Sequence, residues 1–285
     1  MKTYQHHIYY NDKYTAPKYA FDTTRKSKVI ANTIGVHNTK NPEAMLTIAN
    51  NQIQTCTTSE YYNALQTGTP HDLAESNGFQ WDTGIVEMFT NSTAGVLSAA
   101  LSALKHGIAG SLSSGLHHAD QEKGAGFCTV NGLAITAHWL NIPTTILDFD
   151  AHCGGGTVNT LRYLKIDDTV DQYDISTNKY DHYQEDDNHR IFIERDDISY
   201  LNKVNDILQN INTNTQFILY NAGTDPYPTI THDALKQRDT MVFEYCKSQK
   251  IACAYVLAGG YTDFQTMESL AQSHINTLDA AERTL

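Results

Sequence analysis

The chain has 285 residues, with 20 Lys/Arg against 32 Asp/Glu and a formal net charge of −12 at pH 7. That length admits one large domain or two small ones with ample chain for a core. The acidic balance excludes the basic footprint that a nucleic-acid backbone requires, and a cationic substrate suits it better. No apolar run approaches the roughly 18 residues of a membrane span; the best candidates, 99–104 and 251–258, are about half that. The opening MKTYQHHIYYNDK has no apolar h-region and no small-residue cleavage site, so no secretory leader is expected. The five cysteines, at 56, 128, 153, 246 and 253, form no C-x-x-C pair. This argues against a disulfide framework or zinc finger and for a reducing compartment, the cytoplasm.

Residues 1–45 are polar and rich in Tyr, Asn and Lys, with short strand-like runs such as 28–31. Helical patterning begins at Asn41-Pro42-Glu43, with Asn41 as N-cap and Pro42 in the first turn. The stretch 66–81, with Gly68, Pro70 and Gly78, reads as a loop. A helix rich in Ala and Leu follows over 92–106 and stops at Gly107. Thereafter apolar runs at 144–150, 216–220 and 251–257 alternate with helical stretches at 158–164 and 232–249. Nearly continuous apolar strands separated by helices predict an α/β fold, a mostly parallel sheet covered on both faces. There is no repeat, low-complexity segment or linker, so one domain over 1–285 is expected, with 172–195 as a polar surface excursion.

Ionisable residues follow three of the strands: Asp148, Asp150 and His152 after the first, Asp225 after the second, Tyr261 after the third. In open α/β sheets ligands bind outside the carboxyl ends of the strands, so these loops should converge. Asp150, His152 and Asp225 would supply an imidazole and two carboxylates with a position left open, the pattern of a catalytic zinc site. Taken alone, Asp148 and Asp150 serve equally well as caps of the following turn, and Tyr261 as a turn anchor. The pair His117-His118 precedes the glycine-rich Gly124-Ala-Gly126-Phe-Cys128. Beside an activated water, one histidine would accept its proton while the other stabilised charge or helped protonate a leaving group. A phenol at Tyr261 would donate to an oxyanion.

The ordered segments GLHHAD, GFCTVN, LDFDAHCGGGT, NAGTDP and AGGYT resemble the histone deacetylase family, including its bacterial acetylpolyamine amidohydrolase and deacetylase-like members. The resemblance covers residues 77–262. It implies the arginase/deacetylase α/β fold and removal of an acetyl or other short acyl group from an amine, such as acetyl-lysine or an acetylated polyamine. It also implies zinc, or iron or cobalt, held by Asp150, His152 and Asp225, with His117 and His118 as the tandem histidines and His118 as general base. Tyr261 takes the place of the transition-state tyrosine. Asp148 matches the acid that bonds the first histidine and helps hold a structural potassium ion, to which Ser176 would contribute its hydroxyl. Phe127, with Gly126 before it, matches one wall of the acyl-lysine channel.

Two positions depart from the pattern. Cys153 replaces a histidine that is not a ligand, and Gly155 replaces the acid that orients the second tandem histidine. Loss of that acid should lower the pKa of His118, unless another acid or an amide takes its place. The second channel wall falls to Tyr180, His182 or Tyr183, and no clamp for a peptide backbone is recognisable near Asn77-Gly78. Two other classes compete with the deacylase. A non-catalytic binding protein would have lost turnover through Gly155; a two-manganese ureohydrolase would want an Asp where Gly154 stands.

Overall fold

The three apolar runs lie side by side at the centre of one sheet in the computed structural model, which describes residues 4–15, 22–36 and 41–285. Strand β1 (His7–Tyr9), a 3-10 turn at Asp12–Tyr14 and helix α1 (Asp22–Ile34) come first. Helices α2 (Glu43–Cys56), α3 (Ser59–Thr67), α4 (His71–Ala74) and α5 (Thr83–His106) lead to β2 (Ile108–Ser111) and α6 (Gly132–Leu140). Then follow β3 (Thr144–Asp148), α7 (Gly155–Leu164), β4 (Val170–Ser176), β5 (His189–Ile193) and α8 (Asp197–Gln209). The chain closes with β6 (Phe217–Gly223), α9 (His232–Gln249), β7 (Ala252–Ala258) and α10 (Met267–Thr284).

The seven strands run in the order β1-β2-β7-β6-β3-β4-β5, and every neighbouring pair is parallel. The alternation of strand side chains divides the core. Ile146, Leu219 and Ala254 stand level across three strands and pack with Val96, Ala100, Leu133 and Leu161 of α5, α6 and α7. One residue on, Leu147, Tyr220 and Tyr255 face Ile30, Tyr200, Phe243 and Leu278 of α1, α8, α9 and α10. The fold is therefore the expected α/β class. Among the described residues no helix is long and apolar enough to cross a membrane.

The helices depart from expectation mainly at their starts. The helix read over 92–106 is the second half of α5, which Asp82 caps by accepting from the Gly84 N–H; it does end at Gly107. Helix α2 starts after Pro42, while Asn41 donates to the Asn91 carbonyl. The loop read at 66–81 contains the end of α3 and the four residues of α4. The run 28–31 is helix, within α1: Lys26, Ser27, Ile30, Ala31 and Ile34 are buried, the 3–4 spacing of one helical face. Four residues were too few to separate that period from a strand's.

The larger correction is at 172–195, of which only the loop that carries Glu185, Asp186 and Asp187 is a surface excursion. The segment supplies most of β4 and all of β5, and Gln172, Asp174 and Ser176 are fully buried. Polarity there marks internal hydrogen bonding. Asp174 accepts from the Gly154 N–H (2.7 Å), Gln172 Nε2 (2.9 Å) and the Tyr183 hydroxyl (2.5 Å).

One buried side chain ties the sheet's carboxyl edge together. Arg238, on the buried face of α9, donates through Nη1 to the carbonyls of Phe149 (3.1 Å) and Gly223 (2.7 Å). Its Nε donates to Asp239 at 2.9 Å, and Asp239 also accepts from Tyr220 and Thr277. The ends of β3 and β6 are thereby held at a fixed separation. Replacing Arg238 by Met strands a buried carboxylate and two carbonyls, so urea unfolding should show a loss of about 3–5 kcal/mol. A loss under about 1 kcal/mol would mean that these groups re-pair without the guanidinium.

Candidate active site

The two strand ends that Arg238 fixes carry the acidic residues of the site. Asp150 lies one residue beyond Phe149, and Asp225 two beyond Gly223. With His152 they form a group whose potential ligand atoms all lie within 4.8 Å of one another. His152 Nδ1 is 3.1 Å from Asp150 Oδ1 and 3.3 Å from Asp225 Oδ2. Asp225 Oδ1 accepts from the Ala151 N–H at 3.1 Å, whereas its buried Oδ2 makes no well-formed hydrogen bond. Burial and then the Asp150 charge push the Asp225 carboxyl up. Burial opposes the charge on Asp150 as well, but His117 and then His152 hold it well below the usual carboxylate range. His152 itself is pushed up to about 10, because its hydrogen bond to Asp150, its close approach to Asp225 and their two charges together outweigh burial. Two carboxylates and an imidazole, with one buried oxygen unspent, suit a divalent cation.

The loop after β2 brings in the tandem histidines, whose rings lie 3.9 Å apart. Each has a carboxylate on Nδ1: Asp148 at 2.7 Å for His117, Asp181 at 2.8 Å for His118. An N–H donated from each Nδ1 turns each Nε2 toward the site; His117 Nε2 is 3.6 Å from Asp150. A second potential ligand group, His117, His118 and Asp150, shares Asp150 with the first. The neighbours titrate in opposite directions. Burial resists protonation of His117, yet Asp148 and then Asp150 push it up to about 10. His118 is pushed down by burial and by His117, against the pull of Asp181. The lowering thus arises from burial although a carboxylate partner is in place, and not from the loss of one.

Phe127 and Tyr261 share a cavity with His117, His118, Asp150 and His152, and Gly126 lines it too. The Phe127 backbone, at φ 64°, is pinned by its N–H to the Asn77 carbonyl (2.9 Å). The Tyr180 ring meets His118 edge-on at 5.0 Å and His152 at 5.5 Å, so among the three candidates it flanks the site. Tyr183 instead turns inward to Asp174, and burial followed by the Asp148 charge pushes the Asp174 carboxyl up to about 8. Burial, then Asp225 and Asp150, keeps the Tyr261 phenol protonated, hence a donor. Asp148 lies behind the histidines, also bonded by Asn221 Nδ2 at 2.7 Å. Ser176, at the end of β4, has a buried Oγ with no hydrogen-bond partner among the described residues.

Three groups escaped the sequence reading. Asp181 lies 63 positions from His118 in a polar loop that carried no motif. Lys26, buried on α1, donates through Nζ to the Gly259 carbonyl; burial pushes it down to about 7 against the pull of Asp225 and Asp150. Reading 28–31 as a strand concealed its inward face. Arg238 sits on a helix that was recognised, but no local pattern marks which of its charges is internal.

The histone deacetylase domain family matches residues 19–278 of the chain. An uncharacterized protein of Picosynechococcus sp. is 28% identical over 222 residues, covering 71% of this chain and 72% of its own length. Histone deacetylase 2 of Arabidopsis thaliana is 28% identical over 195 residues, 61% of this chain but only 49% of that protein. The acetoin utilization protein AcuC of Staphylococcus aureus is 48% identical over 50 residues, 16% of this chain and 13% of AcuC.

Because His152 is held near 10 in the metal-free protein, a cation taken up there must displace its proton. Titrating zinc into metal-free protein at pH 7.5 should release about one proton, with affinity falling about tenfold per pH unit from pH 9 to 7. Calorimetry in buffers of different ionisation enthalpy measures this. Binding without proton release would mean that His152 is already neutral in the metal-free protein or lies outside the ligand set.

Proposed function

The chain belongs to the histone deacetylase family, and from that premise we propose that it is a zinc-dependent hydrolase that removes an acetyl or other short acyl group from an amine. One observation supports this most. Asp150 and His152, grouped with Asp225 as potential ligands, line a cleft with two carboxylate-bonded histidines and the Tyr261 phenol. The ligand set fits zinc, and iron or cobalt equally. When bound, the metal would supply Lewis acidity toward the amide carbonyl and the attacking water.

The protein groups divide the remaining work. His118, with Nδ1–H directed to Asp181, accepts the water proton on Nε2 and returns it to the departing amine. His117 stays protonated beside Asp148 and stabilises developing negative charge. Tyr261 donates its O–H to the oxyanion. Phe127, which lines the cleft, and Tyr180, whose ring lies against His118, offer apolar surface suited to a methylene chain such as that of acyl-lysine or an acetylated polyamine. The overall charge of −12 favours such amines over anionic substrates. Asp148 and the buried Ser176 Oγ offer oxygen to a structural potassium ion. The five cysteines, all buried and unpaired, fit a reducing cytoplasm. The Gly155 departure, which favoured a non-catalytic binding protein, loses its force because His118 has a carboxylate after all.

Steady-state assays on acetyl-lysine peptides and acetylated polyamines, with metal analysis, test the reading; a fully zinc-loaded protein that turns over neither class would overturn it. Asp225→Ala should lose most bound metal together with activity, and full metal content at wild-type rate would remove Asp225 from the ligand set. Tyr261→Phe should keep its metal while kcat falls about 10²–10³-fold, the scale of one lost oxyanion donor. An unchanged kcat would reduce Tyr261 to a turn anchor.

A further inference from the structure

We propose that Asp181 is the positioning residue of His118, supplied by the loop between β4 and β5, and that Gly155 is glycine because the carbonyl and carboxylate of Asp181 occupy its side-chain space. The inference rests on the deacylase reading for its catalytic consequence, but its geometry stands independently. Asp181 Oδ2 lies 2.8 Å from His118 Nδ1 and 3.2 Å from the Gly156 N–H. The carboxylate thus sits on the first turn of α7, where a helix N-terminus favours negative charge. A Cβ added to Gly155 would lie 2.5 Å from Asp181 Oδ1 and 2.3 Å from the Asp181 carbonyl oxygen, closer than real contacts allow. An acid at 155 and the observed Asp181 cannot coexist. They are alternative sources of one charge in one place.

The loop is built to hold that position. The Tyr180 carbonyl accepts from the Cys153 N–H at 3.0 Å, and the Cys153 thiol points to the Asn178 carbonyl at 3.7 Å. Asp181 itself sits at φ 58°, in the left-handed region that Asp tolerates better than most residues. The Tyr180 ring beside His118 comes from the adjacent residue, so one short segment supplies both a wall of the site and the partner of the proposed base.

A cap for α7 would account for the Gly156 contact alone, so the test must read His118. In metal-free protein with 15N-labelled histidine, low-field imidazole N–H protons are expected from His117–Asp148 and His118–Asp181, beside those of His6, His152 and His189, which also bond carboxylates. Asp181→Gly should remove the His118 signal and leave that of His117. On whichever acylated amine the protein hydrolyses, Asp181→Gly should lower kcat about 10²-fold with KM little changed. Gly155→Asp should destabilise the protein, and adding Asp181→Gly should relieve this only in part, because the residue 181 carbonyl would also stand 2.3 Å from a Cβ at 155. Asp181→Asn, which keeps an acceptor without the charge, should retain the fold and fall between wild type and Asp181→Gly. A His118 signal that survives Asp181→Gly, or a kcat unchanged in both Asp181 variants, would overturn the proposal. A wild-type protein with the signal but no turnover would overturn the deacylase reading and leave the pairing standing.

Discussion

Carboxylates buried beside one another are the constraint around which the carboxyl edge of the sheet is organised. Asp148, Asp150, Asp174 and Asp239 are buried within this layer, and the Asp225 side chain is only 3% exposed. Each unpaired buried charge costs several kcal/mol, so every one needs a partner or must give up its charge. Three solutions coexist. Asp239 is paired with Arg238, and Asp148 with His117. Asp174 gives up its charge at neutral pH, pushed to about 8 by burial and by Asp148. Asp150 and Asp225 share what remains, the His152 proton and the more distant Lys26, and this incomplete neutralisation is what a divalent cation would complete.

The same electrostatics separates two histidines that are identical in sequence and adjacent in the chain. His117 lies between Asp148 and Asp150 and retains its proton well above neutrality. His118 is buried next to that cation, and its single carboxylate, with a side chain 23% exposed, does not fully compensate. One imidazole is thus fixed as a cation and the other is free to accept a proton, a division that acid–base chemistry at neutral pH requires.

What the sequence made legible follows from the range of the interactions. Central strands β3, β6 and β7 declare themselves as apolar runs because they are covered on both faces. Helix α9 declares itself through Leu235, Val242, Phe243 and Cys246 at helical spacing, with Thr231 capping its start. Strand β4 does not, since Asp171, Gln172, Asp174 and Ser176 are buried there although polar, a pattern that reads locally as surface. Strand β2 is four residues long, and its Ile108-Ala-Gly-Ser111 gives no period to read. Among the site residues, Asp150, His152, Asp225 and Tyr261 were legible because they immediately follow strands, where topology alone forces convergence. Asp181, Lys26 and Arg238 reach the site through tertiary contacts from a loop and two helices, and nothing within a local window distinguishes them from solvated charges.

The two departures from the family pattern share a physical origin. Cys153 and Gly155 are both small, and both face the segment that follows β4: the Cys153 thiol meets Asn178, and the space above Gly155 holds Asp181. A larger side chain at 153 would push against the Asn178 carbonyl, and any side chain at 155 would displace the carboxylate that His118 bonds. The small residues let the loop settle onto the first turn of α7, and the loop in return brings Tyr180 against the histidines and Asp181 beneath one of them. Read at one position, Gly155 looks like the loss of a catalytic support. Read with the loop it accommodates, it is the condition for supplying that support from elsewhere in the chain.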